Sequence, residues 1–132
     1  MKIAVFENEY DSVKIAFEAA NELNFDSKLD IDVFAKTQLC DLNKISQYSV
    51  IFIDIDLATA SNMDGYSLLN YWKDNDNVLR KVIILTGNNK IKEGLEAKKI
   101  DPNILELIIK PTNYSEVTQK IKTVLLKNSK SK

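Results

Sequence analysis

The chain has 132 residues, 45% of them hydrophobic, which suits one globular domain able to bury most of a five-stranded sheet. Its 18 basic and 19 acidic residues nearly cancel, excluding a global field that would favour nucleic acid or an anionic membrane. The one cysteine, Cys40, excludes an internal disulfide and a cysteine-cluster zinc site, and the lack of histidine excludes Ser-His and Cys-His nucleophile pairs, imidazole metal sites and a histidine phosphocarrier.

In chain order, Lys2–Phe6 reads as the first strand and runs into Glu7-Asn8-Glu9. A helix is predicted next, with Asp11 and Ser12 as caps and Val13, Ala16, Phe17, Ala20 and Leu23 on its buried face. A second strand follows at 29–34, and residues 37–46 leave room only for a short helix. Val50–Asp54 is a third strand, apolar until its last residue. Asp64-Gly65 starts a helix with Leu68, Leu69 and Trp72 inward; a fourth strand at 81–85 ends in Thr86-Gly87, and another helix runs from about Asn89 to Lys99 through Ile91 and Leu95. Asp101-Pro102-Asn103 is a turn before a fifth strand at 105–109, which ends in Lys110-Pro111. The last helix opens with Asn113 and Glu116 in capping-box spacing and carries Val117, Ile121, Val124 and Leu125 at helical intervals. The domain is expected over residues 1–127, with 128–132 a fraying polar tail. No apolar run approaches the ~20 residues of a membrane span and no signal-peptide pattern opens the chain, so a cytoplasmic protein is expected.

Most of these strands are continuously apolar, as parallel strands covered on both faces are. Strands alternating with helices through right-handed crossovers give an α/β fold whose site forms beyond the carboxyl ends of the strands. The polar residues Glu7, Glu9, Asp54, Asp56, Thr86 and Lys110 all fall at that edge. Four carboxylates in one crevice would raise one another's pKa values unless a cation joined them. Magnesium suits such a place, because it binds through one or two carboxylates and keeps positions for water and phosphoryl oxygens. Asp54 is then placed to attack phosphorus, with Lys110 pairing one phosphoryl oxygen and the Thr86 hydroxyl donating to another. Gly87 leaves the approach open, and a cis Lys110–Pro111 bond would aim the ammonium.

Phe6-Glu7-Asn8-Glu9, Ile53-Asp54-Ile55-Asp56-Leu57, Met63-Asp64-Gly65, Leu85-Thr86-Gly87 and Ile109-Lys110-Pro111, in this order, resemble the receiver domain of bacterial two-component response regulators over nearly the whole chain. The resemblance implies a flavodoxin-like, doubly wound α/β fold with a five-stranded parallel sheet in the order 2-1-3-4-5 and helices on both faces. It implies phosphorylation of Asp54 by a histidine kinase or histidine phosphotransfer protein, slow self-catalysed dephosphorylation, and Thr86 and Lys110 as switch residues acting on a downstream partner or output domain. It also implies Mg2+ held by Glu7, Asn8, Asp54 and the backbone carbonyl of Asp56.

Three positions depart from that family. Asn8 stands where a carboxylate metal ligand is expected, which predicts weakened magnesium affinity. The loop after Asp54 is long, with ten positions to Asp64 and Ala58–Asn62 in place of a short proline-containing turn. Leu107 replaces an aromatic on the fifth strand. A degenerate receiver that binds partners without phosphorylation is therefore an alternative reading. A haloacid-dehalogenase-like phosphatase fits less well: Ala58 breaks its motif, no acidic pair follows Lys110, and the aspartate lies on the third strand rather than the first.

Overall fold

The computed structural model describes residues 1–57 and 60–130. Five parallel strands, β1 (Lys2–Phe6), β2 (Asp30–Phe34), β3 (Val50–Asp54), β4 (Val82–Thr86) and β5 (Glu106–Ile109), form one sheet in the order β2-β1-β3-β4-β5. The helices are α1 (Lys14–Asn24), α2 (Gly65–Tyr71), α3 (Asp76–Leu79), α4 (Ile91–Ala97) and α5 (Tyr114–Lys130). This is the doubly wound, flavodoxin-like architecture expected from the sequence.

Two-residue alternation within each apolar strand divides the core between the two faces. Ile3, Val5, Val50, Phe52, Ile83 and Leu85 meet Phe17 and Ala20 of α1 and Val117, Ile121 and Val124 of α5 on one side. Ala4, Phe6, Ile51, Ile53 and Ile84 meet Leu68, Leu69 and Trp72 of α2 and Ile91 and Leu95 of α4 on the other. Ring contacts anchor each layer: Phe17 and Phe52 meet edge-on at 4.8 Å, Phe6 and Trp72 at 6.4 Å. β2 lies at the sheet edge and alone among the strands has no buried residue, which explains its alternating, less apolar sequence.

Several local readings need correction. Asp11 and Ser12 do not cap α1; they belong to a 3-10 turn, Tyr10–Ser12, where the Ser12 hydroxyl donates to the Glu9 carbonyl at 2.7 Å. Leu23 is 65% exposed, because Asn24 is the residue turned toward α5, donating to Thr118 Oγ1 at 3.0 Å. The Asn113 cap of α5 forms, accepting from the Glu116 N–H at 2.9 Å, but the Glu116 carboxylate accepts from the Thr112 hydroxyl at 2.8 Å rather than closing a reciprocal box. Leu125 packs half-buried against the core on the face expected of it, but α5 continues through Asn128 to Lys130, where a fraying tail is expected. The short α3, capped by Asn75 at the Val78 N–H (3.2 Å), has no counterpart in the sequence reading.

Candidate functional site

Each site residue ends a strand or directly follows one. The Glu7 N–H donates to the Phe34 carbonyl at 3.1 Å, so its backbone continues the β1–β2 pairing and its side chain is buried at the sheet's carboxyl edge. Asp54 is the last residue of β3 and 4% exposed. Thr86 ends β4, fully buried, one residue beyond the Leu85 that pairs with Asp54 in register. Lys110 follows β5, its N–H donating to the Thr86 carbonyl at 2.7 Å, and the Lys110–Pro111 bond is cis.

The Lys110 ammonium joins the two buried carboxylates. Its Nζ donates to Glu7 Oε1 at 3.1 Å and Oε2 at 3.3 Å, and lies 3.6 Å from Asp54 Oδ2. The other Asp54 oxygen, Oδ1, accepts from the Asp56 N–H at 3.0 Å. Burial, reinforced by the neighbouring Asp54, pushes the Glu7 carboxyl from 4.5 up to about 7, with Lys110 pulling the other way. Burial opposes the Lys110 charge, yet its hydrogen bonds to Glu7 and the Asp54 carboxylate outweigh that and raise its pKa.

Glu9 and Asp56 do not join this group. Both are exposed, and among the described residues no three histidine, cysteine or acidic side chains come close enough together to hold a metal. The Glu9 carbonyl is engaged by Ser12 in the turn that leads away from the sheet, while Asp56 turns its N–H, not its carboxylate, toward Asp54. The expected four-carboxylate crevice is thus a pair, Glu7 and Asp54, beside the half-buried Asn8. The donor set still suits magnesium: two carboxylates, one carboxamide and a backbone carbonyl are the hard oxygens it takes, and burying two carboxylates against one ammonium leaves negative charge for a cation to satisfy. The Thr86 hydroxyl accepts from the Asn88 N–H at 3.1 Å, which leaves its proton to donate. A Cβ on Gly87 would meet nothing within 4 Å, so the space beside it is open. Leu107 is half-buried against the core under α4.

The sequence reading missed two groups. At Gly65 the sequence signals only a helix start, but a Cβ there would lie 2.6 Å from the Asp54 carbonyl oxygen and against the Ile55 Cα. The loop after Asp54 is fastened at Ala60–Met63 to Thr37 and Gln38, and no local pattern signals this, because the partners lie more than twenty positions apart. Ala58 and Thr59, the first residues of the departure noted in this loop, lie outside the described residues.

No family model matches the sequence, and no curated protein matches it either. Solved structures do. The signal receiver domain of a DNA-binding response regulator from Colwellia psychrerythraea is 18% identical, with 96% of this chain and 98% of that one covered and a TM-score of 0.69. A response regulator receiver domain protein from Clostridium thermocellum is 16% identical over 99% and 98% of the two chains, with a TM-score of 0.71. The receiver domain of a sensor histidine kinase from Pseudomonas aeruginosa, with a magnesium ion coordinated in its active site cleft, is 18% identical over 94% and 96%, with a TM-score of 0.66. This chain has the fold of the response-regulator receiver domains.

Proposed function

We propose that this is a cytoplasmic protein in which Asp54 is a phosphoacceptor, taking a phosphoryl group from the phosphohistidine of a histidine kinase or phosphotransfer protein and so switching a protein-interaction surface. The observation that carries this reading is the Lys110 ammonium held between Glu7 and Asp54 at the carboxyl edge of the sheet. A carboxylate oxygen of Asp54 attacks phosphorus, the P–N bond of the donor breaks, and its electron pair leaves with the imidazole. Lys110 offsets the charge added at Asp54, and the free Thr86 proton is available to a phosphoryl oxygen. Glu7, Asn8, Asp54 and the Asp56 carbonyl would hold magnesium, which when bound neutralises the carboxylates and the incoming phosphate.

Incubation with Mg2+ and acetyl phosphate tests this. Intact-mass measurement is expected to show a gain of one phosphoryl group in the wild type and none in Asp54→Ala. No magnesium-dependent gain at millimolar donor would instead favour a receiver that docks without phosphorylation, the reading that the missing charge at Asn8 motivates. Restoring that charge provides a second check. Asn8→Asp is expected to tighten Mg2+ binding roughly tenfold, since oxygen sites tune affinity by ligand charge, and titration calorimetry of the two proteins would measure it. Equal affinities would remove Asn8 from the metal site.

A further inference from the structure

The geometry points to Asn88 as a positioning residue for Thr86: its backbone N–H holds the Thr86 hydroxyl, and its side chain fixes the loop from which that N–H points. Thr86 is the last residue of β4 and α4 begins at Ile91, so residues 87–90 make the whole connection. All four are exposed and the space beside Gly87 is open, so packing contributes little to the shape of this loop. Hydrogen bonds set it instead.

Two interlocking turns supply them. The Asn88 N–H donates to Thr86 Oγ1 at 3.1 Å, and the Lys90 N–H donates to Asn88 Oδ1 at 2.9 Å. In each, a side chain accepts from the backbone two positions ahead and so stands in for a backbone turn. Lys90 opens α4: its carbonyl accepts from the Gly94 N–H at 3.1 Å, while its own side chain makes no capping bond. The next residue, Ile91, is buried in the core, so the second turn hangs from a fixed point. Asn88 thus connects the start of α4 to the hydroxyl at the end of β4.

What this connection governs is the Thr86 side chain. The Thr86 backbone is already held, its carbonyl accepting from the Lys110 N–H at 2.7 Å, so χ1 decides what the residue presents at the sheet edge. A rotation of about 120° between staggered wells would put the methyl or the hydrogen where the hydroxyl is. That swap would take the hydroxyl from the Asn88 N–H, and the net worth of one hydrogen bond favours the observed rotamer by roughly fivefold. With one side of the oxygen engaged as an acceptor, the Thr86 proton is kept off the loop. The consequence for phosphoryl transfer rests on the proposed function; the hold on the hydroxyl does not.

Amide protection measured by NMR on the intact chain tests that hold. Asn88→Ala keeps the backbone N–H and removes only the side-chain acceptor. The protection factor of the residue 88 N–H is expected to fall roughly threefold in it, part of one net hydrogen bond, with the Ile84 amide of the core unchanged. Asn88→Ser, whose hydroxyl can also accept from the Lys90 N–H, is expected to restore it. In Thr86→Val the loss runs the other way, and the Lys90 N–H, bonded to Asn88 rather than to Thr86, is expected to lose protection too. Undiminished protection at residue 88 in Asn88→Ala would overturn the proposal. For the reaction, the maximal rate of Asp54 phosphorylation by acetyl phosphate with Mg2+ is expected to fall roughly threefold in Asn88→Ala and to recover in Asn88→Ser. Adding Asn88→Ala to Thr86→Val is expected to cause no further fall. An equal fall in both backgrounds would show that Asn88 does not act through Thr86 and would overturn its positioning role. A wild type that takes no phosphoryl group, with the exchange pattern as expected, would sink the phosphoacceptor reading and leave the hold of Asn88 on Thr86 standing.

Discussion

Gly65→Ala is expected to destabilise the protein by about 3 kcal/mol, the upper part of the range for overpacking a tight contact. The added methyl would lie 2.6 Å from the Asp54 carbonyl oxygen, 3.0 Å from the Ile55 nitrogen and against the Ile55 Cα. All three are backbone atoms of buried residues, so no flexible side chain can swing aside. The start of α2 must then withdraw from the end of β3, stretching the bond from the Gly65 N–H to the Ile55 carbonyl. The gain of up to about 1 kcal/mol in helix propensity from glycine to alanine is too small to offset this. Urea unfolding would measure the loss, and Gly87→Ala is the control, since open space surrounds that position and a change within about 0.5 kcal/mol is expected there. A Gly65→Ala midpoint matching the wild type would show that α2 is not held this close to the acceptor strand. Because the blocked atoms belong to Asp54 and Ile55, the same substitution is expected to slow any phosphorylation of Asp54 under conditions where the variant remains folded.

The fold was legible because its strands are short apolar runs whose ends are marked by polar residues, and because their continuous apolarity demands cover on both faces. Asp54, Thr86 and Lys110 could be placed for the same reason: each is at a strand end, and parallel strands bring such ends to one edge. What direction a side chain takes beyond that edge was not legible. Asp56 follows its strand as closely as Asn8 does and Glu9 lies only one position further on, yet the chain has already turned, and their carboxylates face solvent. Helix phase failed at Leu23, where an apolar residue lies off the stripe and a polar one, Asn24, is on it. The Thr37–Ser61 junction was invisible because hydrogen bonds between distant polar residues leave no periodic trace, and the close approach at Gly65 depends on how α2 docks on β3 rather than on its own sequence.

Lys110→Met is expected to destabilise the fold by an amount that depends on pH, and the sign follows from Glu7. In the wild type the Glu7 carboxyl is raised from 4.5 to about 7, burial being the main cause and Asp54 the next. The folded state therefore binds a proton that the unfolded state releases between these values. That contribution is fully present below about 4.5 and is lost as pH rises through 7; the shift limits it to about 3 kcal/mol. Methionine keeps the apolar stem of Lys110 but removes the ammonium that lowers the Glu7 pKa, so in the variant Glu7 holds its proton to higher pH. Below pH 7 the two proteins lose stability in parallel, separated by roughly 1 kcal/mol for the lost contact with Asp54. Above it the wild type has finished this titration while the variant has not, and the gap widens toward about 3 kcal/mol, the scale of breaking a buried ion pair. The raised Lys110 pKa keeps the wild-type ammonium charged throughout this window. Urea unfolding of both proteins at pH 6 and pH 9, with chelator present, measures the two gaps. A deficit equal at both values would mean that Lys110 does not govern the charge of Glu7, and that the buried pair at the acceptor is not the coupled unit its geometry indicates.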